Sequence, residues 1–159
     1  MKLYRVTAEL FINAPWKDQL GAAVADYLRR SKEEATEQEI WTFLDAAMSE
    51  NPERNPGLSL MLVVAVSDDD TYLLGYALFR DIKGMPSVGR ILQIWQHYAW
   101  PGRARMRDLF HTIEPFLASL KSDGFTRVQI YTRRHLPAYA KLLQQIGFAP
   151  DGMTYQRIL

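Results

Sequence analysis

LQIWQHYAWPGRARMRDLFHTIEPFLASLKSDGFTRVQIYTRRHLPAYAKLLQQIGF, residues 92–148, is the stretch of sequence that decides the fold. It predicts a strand, a short basic loop with Pro101 and Gly102, a long helix, a second strand, and a short helix that Gly147 closes as a left-handed cap. Where a strand runs through a loop into a helix, free backbone N–H groups and the helix dipole can hold an anion. The loop and helix start carry three arginines, Arg103, Arg105 and Arg107. Because cations at a helix amino terminus oppose the dipole, they favour a bound anion over a merely solvated helix start.

The residues before this stretch add two helices and further strands. Residues 3–11 alternate apolar and polar side chains, which predicts a strand with one buried face. Residues 16–30 carry apolar residues at helical spacing, and Thr36 with Glu39 forms a capping-box pattern that predicts a second helix. Residues 58–66 are almost continuously apolar, which predicts a strand covered on both faces.

The remaining elements complete an α/β pattern. Residues 71–82 and 88–99 predict two strands, residues 104–123 a long helix, and residues 149–152 a turn into a last strand. The predicted order, β-α-α-β-β-β-α-β-α-β, is that of an α/β protein with a mixed sheet. A length of 159 residues predicts one domain, residues 1–159.

Composition excludes several kinds of site. The chain has no cysteine, so disulfides, thiolate metal sites and a cysteine nucleophile are excluded. No metal site is predicted, because His111 and His135 lack a third ligand at metal-binding spacing. The amino terminus reads as a strand rather than an export signal, and the apolar run at 60–66 is far shorter than a membrane helix. We therefore expect a soluble, cytoplasmic protein with no membrane partner.

Charge is distributed unevenly along the chain. Residues 1–80 carry 8 Lys and Arg against 13 Asp and Glu, a net charge of −5, whereas residues 81–159 carry 11 against 5, a net charge of +6. The basic half contains the loop described above. Such an asymmetry indicates an anionic partner, and either a phosphorylated cofactor or nucleic acid would satisfy it, as would a solvated surface with no partner.

The order of these elements, and the residues at their boundaries, resemble those of the GNAT acyltransferase superfamily. The resemblance lies in the strand–loop–helix corner, in Asp123-Gly124-Phe125 before the next strand, in AYAKLLQQIGF, and in the pattern Gly75-Tyr76-Ala77-Leu78-Phe79. It covers nearly the whole chain. It implies a mixed, mostly antiparallel sheet flanked by helices, and transfer of an acyl group, such as acetyl, from acyl-coenzyme A to an amine.

The resemblance also implies which residues meet the cofactor. Backbone groups of Tyr98, Ala99 and Trp100 would meet the pantetheine arm. Those of the loop and helix start would meet the pyrophosphate, helped by the arginine side chains: Gly102, Arg103, Ala104, Arg105, Met106 and Arg107. Trp41 and Phe43 would lie in the wall of the acceptor site, although their helical spacing is equally that of a packed helix.

The strand at 88–99 decides where these groups point. Strict alternation places Leu92, Ile94, Gln96 and Tyr98 on one face and their neighbours on the other, unless a bulge interrupts it. The family commonly carries such a bulge here, which opens room for the pantetheine arm.

Acyl transfer also needs a base for the amine and an acid for the leaving thiolate. His97, near the end of this strand, could deprotonate an amine near neutral pH. The family's frequent general acid, a tyrosine, would fall at position 143, where Leu143 stands. Tyr139 lies one helical turn earlier on the same face and could protonate the thiolate. Alternatively, His97 and Tyr139 are structural residues.

Three hypotheses follow. The first is an acyl-coenzyme A dependent N-acyltransferase for an unknown amine acceptor, a small molecule or a protein. The second is a fold relative that has lost catalysis and acts as a binding or assembly module, which the departures from the family pattern at Pro101, Met106 and Leu143 favour. The third, a nucleic-acid binder, is disfavoured by the absence of a dense basic run. A homodimer is compatible with each of them.

Overall fold

The computed structural model of the protein describes residues 1–31, 34–49, 59–83, 89–131, 137–151 and 154–158. Its elements follow one another as β1 (Lys2–Arg5), α1 (Ala8–Asn13), α2 (Lys17–Ser31), α3 (Glu37–Met48), β2 (Ser59–Val66), β3 (Leu73–Lys83), β4 (Arg90–Ala99), α4 (Met106–Ser119), β5 (Phe125–Tyr131), α5 (Pro137–Gln145), β6 (Ala149–Asp151) and β7 (Thr154–Ile158).

The strands in the described residues form one mixed sheet, in the order β1-β2-β3-β4-β5-β7-β6. Neighbouring strands are antiparallel except β4 and β5, which are parallel. A parallel pair requires a crossover connection, and α4 supplies it by leaving the end of β4 and returning the chain to the start of β5. The predicted mixed, mostly antiparallel sheet is thereby confirmed.

The helices cover the two faces of the sheet and create two hydrophobic clusters. The first cluster, between the sheet and α1–α3, contains Trp16, Leu20, Leu44, Leu62 and Leu78, all nearly inaccessible to solvent. The second, between the sheet and helices α4 and α5, is built around fully buried side chains that include Phe79, Leu117, Ile130, Leu143 and Phe148. β2 contributes alternate residues to both clusters, so its prediction as a strand covered on both faces is confirmed.

The first strand is shorter than its alternating pattern predicts. Pairing with β2 ends when the Val6 amide donates to the Leu62 carbonyl at 2.9 Å, and the chain then turns into α1. Thr7 caps that helix, because its Oγ1 accepts a hydrogen bond from the Leu10 amide at 3.2 Å. The prediction of a strand through Phe11 was wrong, since a capping threonine in front of helix-forming residues outweighs a short alternation.

Two signals at helix ends are confirmed. Thr36 and Glu39 form the predicted capping box at the start of α3, with side-chain and backbone bonds in both directions. Gly147 has a φ of +85°, the left-handed conformation expected after α5. The Phe148 amide donates to the Leu143 carbonyl at 3.0 Å, which closes the last helical turn.

Two predicted boundaries were wrong. The helix expected over residues 104–123 occupies only Met106–Ser119, because a series of turns follows it and ends at Gly124 with a φ of +83°. Residues 149–151, expected to be a turn, form the short edge strand β6, which pairs with β7. Within the described residues, no helix combines the length and the apolar character needed to cross a bilayer.

Candidate functional site

The site is organised by a bulge in the middle of β4. Leu78 of β3 is paired with Gln96, but the next residue, Phe79, is paired with Ile94, so Trp95 has no partner in β3. A bulge of one residue reverses the alternation of side chains that follow it. Ile94 accordingly belongs to the cluster under α4, whereas Gln96 bonds to a residue of the opposite cluster. Strict alternation therefore fails beyond Ile94.

Beside the bulge, β4 and β5 separate. Their parallel pairing ends at Ile94 and Ile130, and β4 continues with β3 as its neighbour among the described strands. The Trp100 amide donates to the Leu74 carbonyl at 2.8 Å. Because hydrogen-bonded positions alternate in an antiparallel pair, the backbone N–H and C=O groups of His97 and Ala99 point away from β3, into the gap beside β5.

Of the three residues predicted to meet a pantetheine arm with their backbone, only Ala99 presents its backbone groups to the gap. Ala99 presents its backbone to the gap, whereas the Trp100 amide, and by alternation the backbone of Tyr98, bonds to β3. The Tyr98 hydroxyl donates to Asp26 of α2 at 2.6 Å. That hydrogen bond, together with Arg29 and Arg30, holds the pKa of Asp26 at about 2. Tyr98 therefore anchors β4 to α2.

The loop after β4 delivers the chain to an uncapped helix end. The amides of Arg103 and Ala104 both donate to the Trp100 carbonyl at 3.0 Å, and Gly102 supports this turn with a φ of +79°. Arg105 is the N-cap residue of α4 and makes no side-chain capping bond. The first amides of a helix have no carbonyl partner within it, so those of Met106 and Arg107 are available to an anion.

The three arginines do not act together. The guanidinium of Arg103 donates to Gln19 Oε1 at 2.6 Å and lies over the Trp100 ring, with 4.2 Å to its centroid. It thus connects the loop to α2 instead of facing the start of α4. Arg105 and Arg107 lie at that start, where Arg107 is 3.5 Å from His111. Sequence alone could not have separated Arg103 from the other two.

His97 and Tyr139 are brought together although 42 residues separate them. Tyr139 Oη lies 2.6 Å from His97 Nε2, and the two rings stack with an angle of 9° between their planes. Leu143, which occupies the position of the family's tyrosine, is fully buried in the core. Tyr139, one turn earlier on α5, therefore supplies a hydroxyl to the strand that carries the histidine.

The surroundings of His97 are apolar. Its ring lies 6.0 Å from that of Phe110 on α4, and it lines a cleft between α4 and strands β1–β4 that encloses about 420 Å³, its open mouth included. Burial of the ring lowers the pKa of His97 to about 4. The imidazole is consequently neutral at physiological pH and is a weaker base than the near-neutral histidine that the sequence predicts, so its part in proton transfer depends on the contact with Tyr139.

A glycine allows α4 to lie this close to the sheet. A Cβ on Gly75 of β3 would lie 2.4 Å from the Tyr98 carbonyl oxygen and 2.6 Å from Leu109 Cδ1 of α4. A side chain at this position would force the backbone to move, so the glycine allows α4 to pack directly against β3 and β4.

Among the described residues, no three His, Asp or Glu side chains are grouped so that they could hold a metal ion.

Solved structures with the same arrangement of elements are acetyltransferases. A probable acetyltransferase superposes with a TM-score of 0.73 at 18% identity, over 95% of this chain and 91% of that one. The GNAT fold is the fold of this chain. A GNAT superfamily phosphinothricin acetyltransferase from Sinorhizobium meliloti, in complex with AcCoA, has a TM-score of 0.69 at 14% identity, over 99% and 88% of the two chains.

A third GNAT-fold structure matches over its full length. The ribosomal-protein-alanine N-acetyltransferase from Brucella melitensis has a TM-score of 0.67 at 13% identity, over 100% of both chains. No protein-family model matches the chain, and no curated protein matches it in sequence. The chain therefore shares its fold with these acetyltransferases at low sequence identity.

Proposed function

We propose that the protein transfers an acyl group from an acyl-coenzyme A thioester to a primary amine. The observation that carries the proposal is the 2.6 Å contact between Tyr139 Oη and His97 Nε2 on the strand that borders the β4–β5 gap. There, a hydroxyl and an imidazole that can exchange a proton lie beside backbone groups of β4 that have no partner among the described strands. The fold, shared with proteins whose structures contain AcCoA or coenzyme A, supports the same function.

The residues at the corner fit a coenzyme A thioester. The backbone of His97 and Ala99 offers hydrogen bonds of the kind a neighbouring strand would make, which suits the amide groups of a pantetheine arm. The uncapped start of α4, with Arg105 and Arg107, suits a pyrophosphate. Met106 fits this role through its amide, because its side chain packs against the core below α4.

The acid–base pair balances the protons of the reaction. The neutral amine attacks the thioester carbonyl, a C–N bond forms and the C–S bond breaks, which releases a thiolate. His97 accepts the proton that the nitrogen loses, and the Tyr139 hydroxyl gives its proton to the thiolate sulfur. Tyr139 then recovers a proton from His97 through the contact between Oη and Nε2. The products are an amide and free coenzyme A.

A binding or assembly module is the second candidate function. Its support is Leu143, which fills the core at the position where the family's general acid stands. In this alternative, the contact between His97 and Tyr139 only attaches α5 to the sheet. The two candidates differ in whether the protein releases coenzyme A from its thioester when an amine is present.

The test combines binding and turnover. Titration calorimetry with acetyl-coenzyme A is expected to show binding that weakens at least about tenfold in Arg105→Ala/Arg107→Ala, because two charge-assisted contacts are lost. Lys121→Ala, an exposed cation beyond the other end of α4, is the matched control. In an assay of thiol release with a panel of amines, Tyr139→Phe keeps the ring and should lose about 100-fold or more in kcat.

One outcome would overturn the proposal, and another would overturn only the role of Tyr139 in it. Absence of acetyl-coenzyme A binding at millimolar concentration would remove the enzyme hypothesis and leave the module. Full turnover by Tyr139→Phe would show that the hydroxyl is not the acid, even if the cofactor binds.

A further inference from the structure

A second cavity lies on the other side of the sheet from His97. It lies between α3 and strands β3 and β4 and spans about 350 Å³, its open mouth included. Its lining consists of residues just before and within α3 and of residues from the strands beneath: Ala35, Glu39, Ile40, Phe43, Leu78, Trp95 and Gln96. Trp95 and Gln96 are the residues at the β4 bulge, so the cavity adjoins the β4–β5 gap from the α3 side.

A buried amide faces this cavity with donors to spare. Gln96 is only 6% exposed and is the polar residue among the described core positions. Its Oε1 accepts a hydrogen bond from the Tyr76 hydroxyl at 3.0 Å. Among the described residues, nothing accepts from Nε2, which leaves two N–H groups for a ligand. Among the described residues, Nε2 is not one of the fully buried polar atoms that lack a partner, so its N–H groups reach the space of the cavity, where a hydrogen-bond acceptor on an occupant can take the place of solvent.

The walls and rim of the cavity define the rest of that occupant. Phe43 and Trp95 meet edge to face, with 4.4 Å between ring centroids, and form an aromatic wall that is 40% exposed at Trp95. Glu39 stands at the rim. Hydrogen bonds from the backbone and the hydroxyl of Thr36 lower the pKa of its carboxyl group, so it is anionic at neutral pH. This combination suits a flat apolar group that carries a cation and repels an occupant with a carboxylate.

We propose that this cavity binds the acyl acceptor, and that the acceptor is a small primary amine with an aromatic or similarly flat apolar body and no carboxylate. The inference rests on the proposed function, because it makes the occupant the nucleophile. The acceptor approaches the gap from the α3 side, where Gln96 holds a carbonyl or ether oxygen of the ligand, while His97 and Tyr139 lie on the α4 side. The charge of Glu39 disfavours a free aromatic amino acid, because Glu39 lies at the rim of the cavity and repels a carboxylate.

The experiment measures amine binding directly, without turnover. Phenylalaninamide and phenylalanine differ only in the replacement of a carboxylate by a neutral amide, and both retain the amine, the ring and a carbonyl. Titration of the full chain, with and without desulfo-coenzyme A, is expected to show phenylalaninamide binding at least about tenfold more tightly than phenylalanine. The same samples are titrated with acetyl-coenzyme A.

Four variants assign the binding to the cavity. Phe43→Ala is expected to weaken phenylalaninamide binding about tenfold, and Gln96→Leu to remove the preference for phenylalaninamide over 2-phenylethylamine, which lacks the carbonyl. Glu39→Gln keeps a capping residue and should abolish the discrimination against phenylalanine. Glu37→Gln removes a charge from the same helical turn outside the cavity lining and should leave that discrimination intact. All variants should bind acetyl-coenzyme A as the unmodified protein does.

The outcomes separate this inference from the proposed function. If acetyl-coenzyme A binds but phenylalaninamide does not, or if Phe43→Ala has no effect, the cavity is not the acceptor site and the transferase proposal stands. Equal affinity for phenylalanine and phenylalaninamide overturns the proposed charge selection. If the amine binds as described while acetyl-coenzyme A fails to bind, the proposed function is wrong. The cavity is then an amine-binding site in a protein with another function.

Discussion

Because the pKa of His97 is low, the free energy of unfolding of this protein should decrease as the pH falls. The folded-state pKa is about 4, against an ordinary value of 6.5, because burial disfavours the charged ring. As the pH falls below 6.5, the unfolded chain binds this proton first. The stability contributed by the neutral ring is therefore complete above pH 6.5 and is lost as the pH falls from 6.5 to 4. A shift of about 2.5 pH units corresponds to about 3 kcal/mol, an upper bound for a ring that borders an open cleft.

The assay is urea-induced unfolding of the unmodified protein and of His97→Gln at pH 7 and pH 4. Glutamine stays neutral at both pH values and keeps a group that can bond to Tyr139. Carboxylates also titrate in this interval, but they do so in both proteins and cancel in the difference. We expect the free energy of unfolding of the unmodified protein, measured relative to the variant, to fall by up to about 3 kcal/mol between pH 7 and pH 4.

A control and a refuting result complete this prediction. His111→Gln makes the same substitution at an exposed position on α4 and serves as the control for its general effects on stability. The expectation is refuted if the difference in unfolding free energy between the unmodified protein and His97→Gln is the same at pH 7 and pH 4 within about 0.5 kcal/mol, the size of the measurement error. The ring would then be well hydrated, and the apolar surroundings that keep it neutral beside Tyr139 would not exist.

Two further predictions concern signals that the sequence already contained. Thr36→Ala should destabilise the protein by about 1 kcal/mol in urea unfolding, because the start of α3 loses its cap, whereas Glu39→Gln should cost clearly less. Gly147→Ala should destabilise it by about 1–2 kcal/mol, because φ there is +85°, whereas Gly21→Ala in α2 should stabilise it by about 1 kcal/mol. The added methyl of Gly21→Ala lies at an ordinary 3.6 Å from Trp41, so a loss of stability there would contradict the second pair.

The features predicted correctly are those that depend on a few neighbouring residues. Each of these features depends on residues within two helical turns or a single strand. They are the capping box at Thr36, the left-handed glycine at position 147 and the apolar run of β2. The first strand was predicted too long because the same local rules compete there. Alternation continues past Val6, but Thr7 offers the next amides a cap, and only the pairing available on β2 decides between them.

The sequence indicates the residue types of the candidate site but not their arrangement. His97 and Tyr139 were chosen for their chemistry, and their contact depends on how α5 packs, which the burial of Leu143 fixes. Arg103, by contrast, does not lie where the sequence predicts it. It carries the expected charge, but Gln19 and Trp100 hold its side chain on the α2 side of the loop. Gln96 was overlooked, although a single amide on the apolar side of a strand is a signal that sequence reasoning can use.

The bulge at Trp95 links the two halves of the proposed site. If β4 kept strict alternation after Ile94, His97 would face α3 and Gln96 would face α4. Tyr139 would then have no histidine to meet, and the cavity beside Phe43 would lose the amide that indicates a ligand. One unpaired residue thus places a proton-transfer pair on one face of the sheet and a hydrogen-bond donor on the other, both beside the gap where β4 leaves β5. The proposed donor site and the proposed acceptor site therefore depend on the same local irregularity.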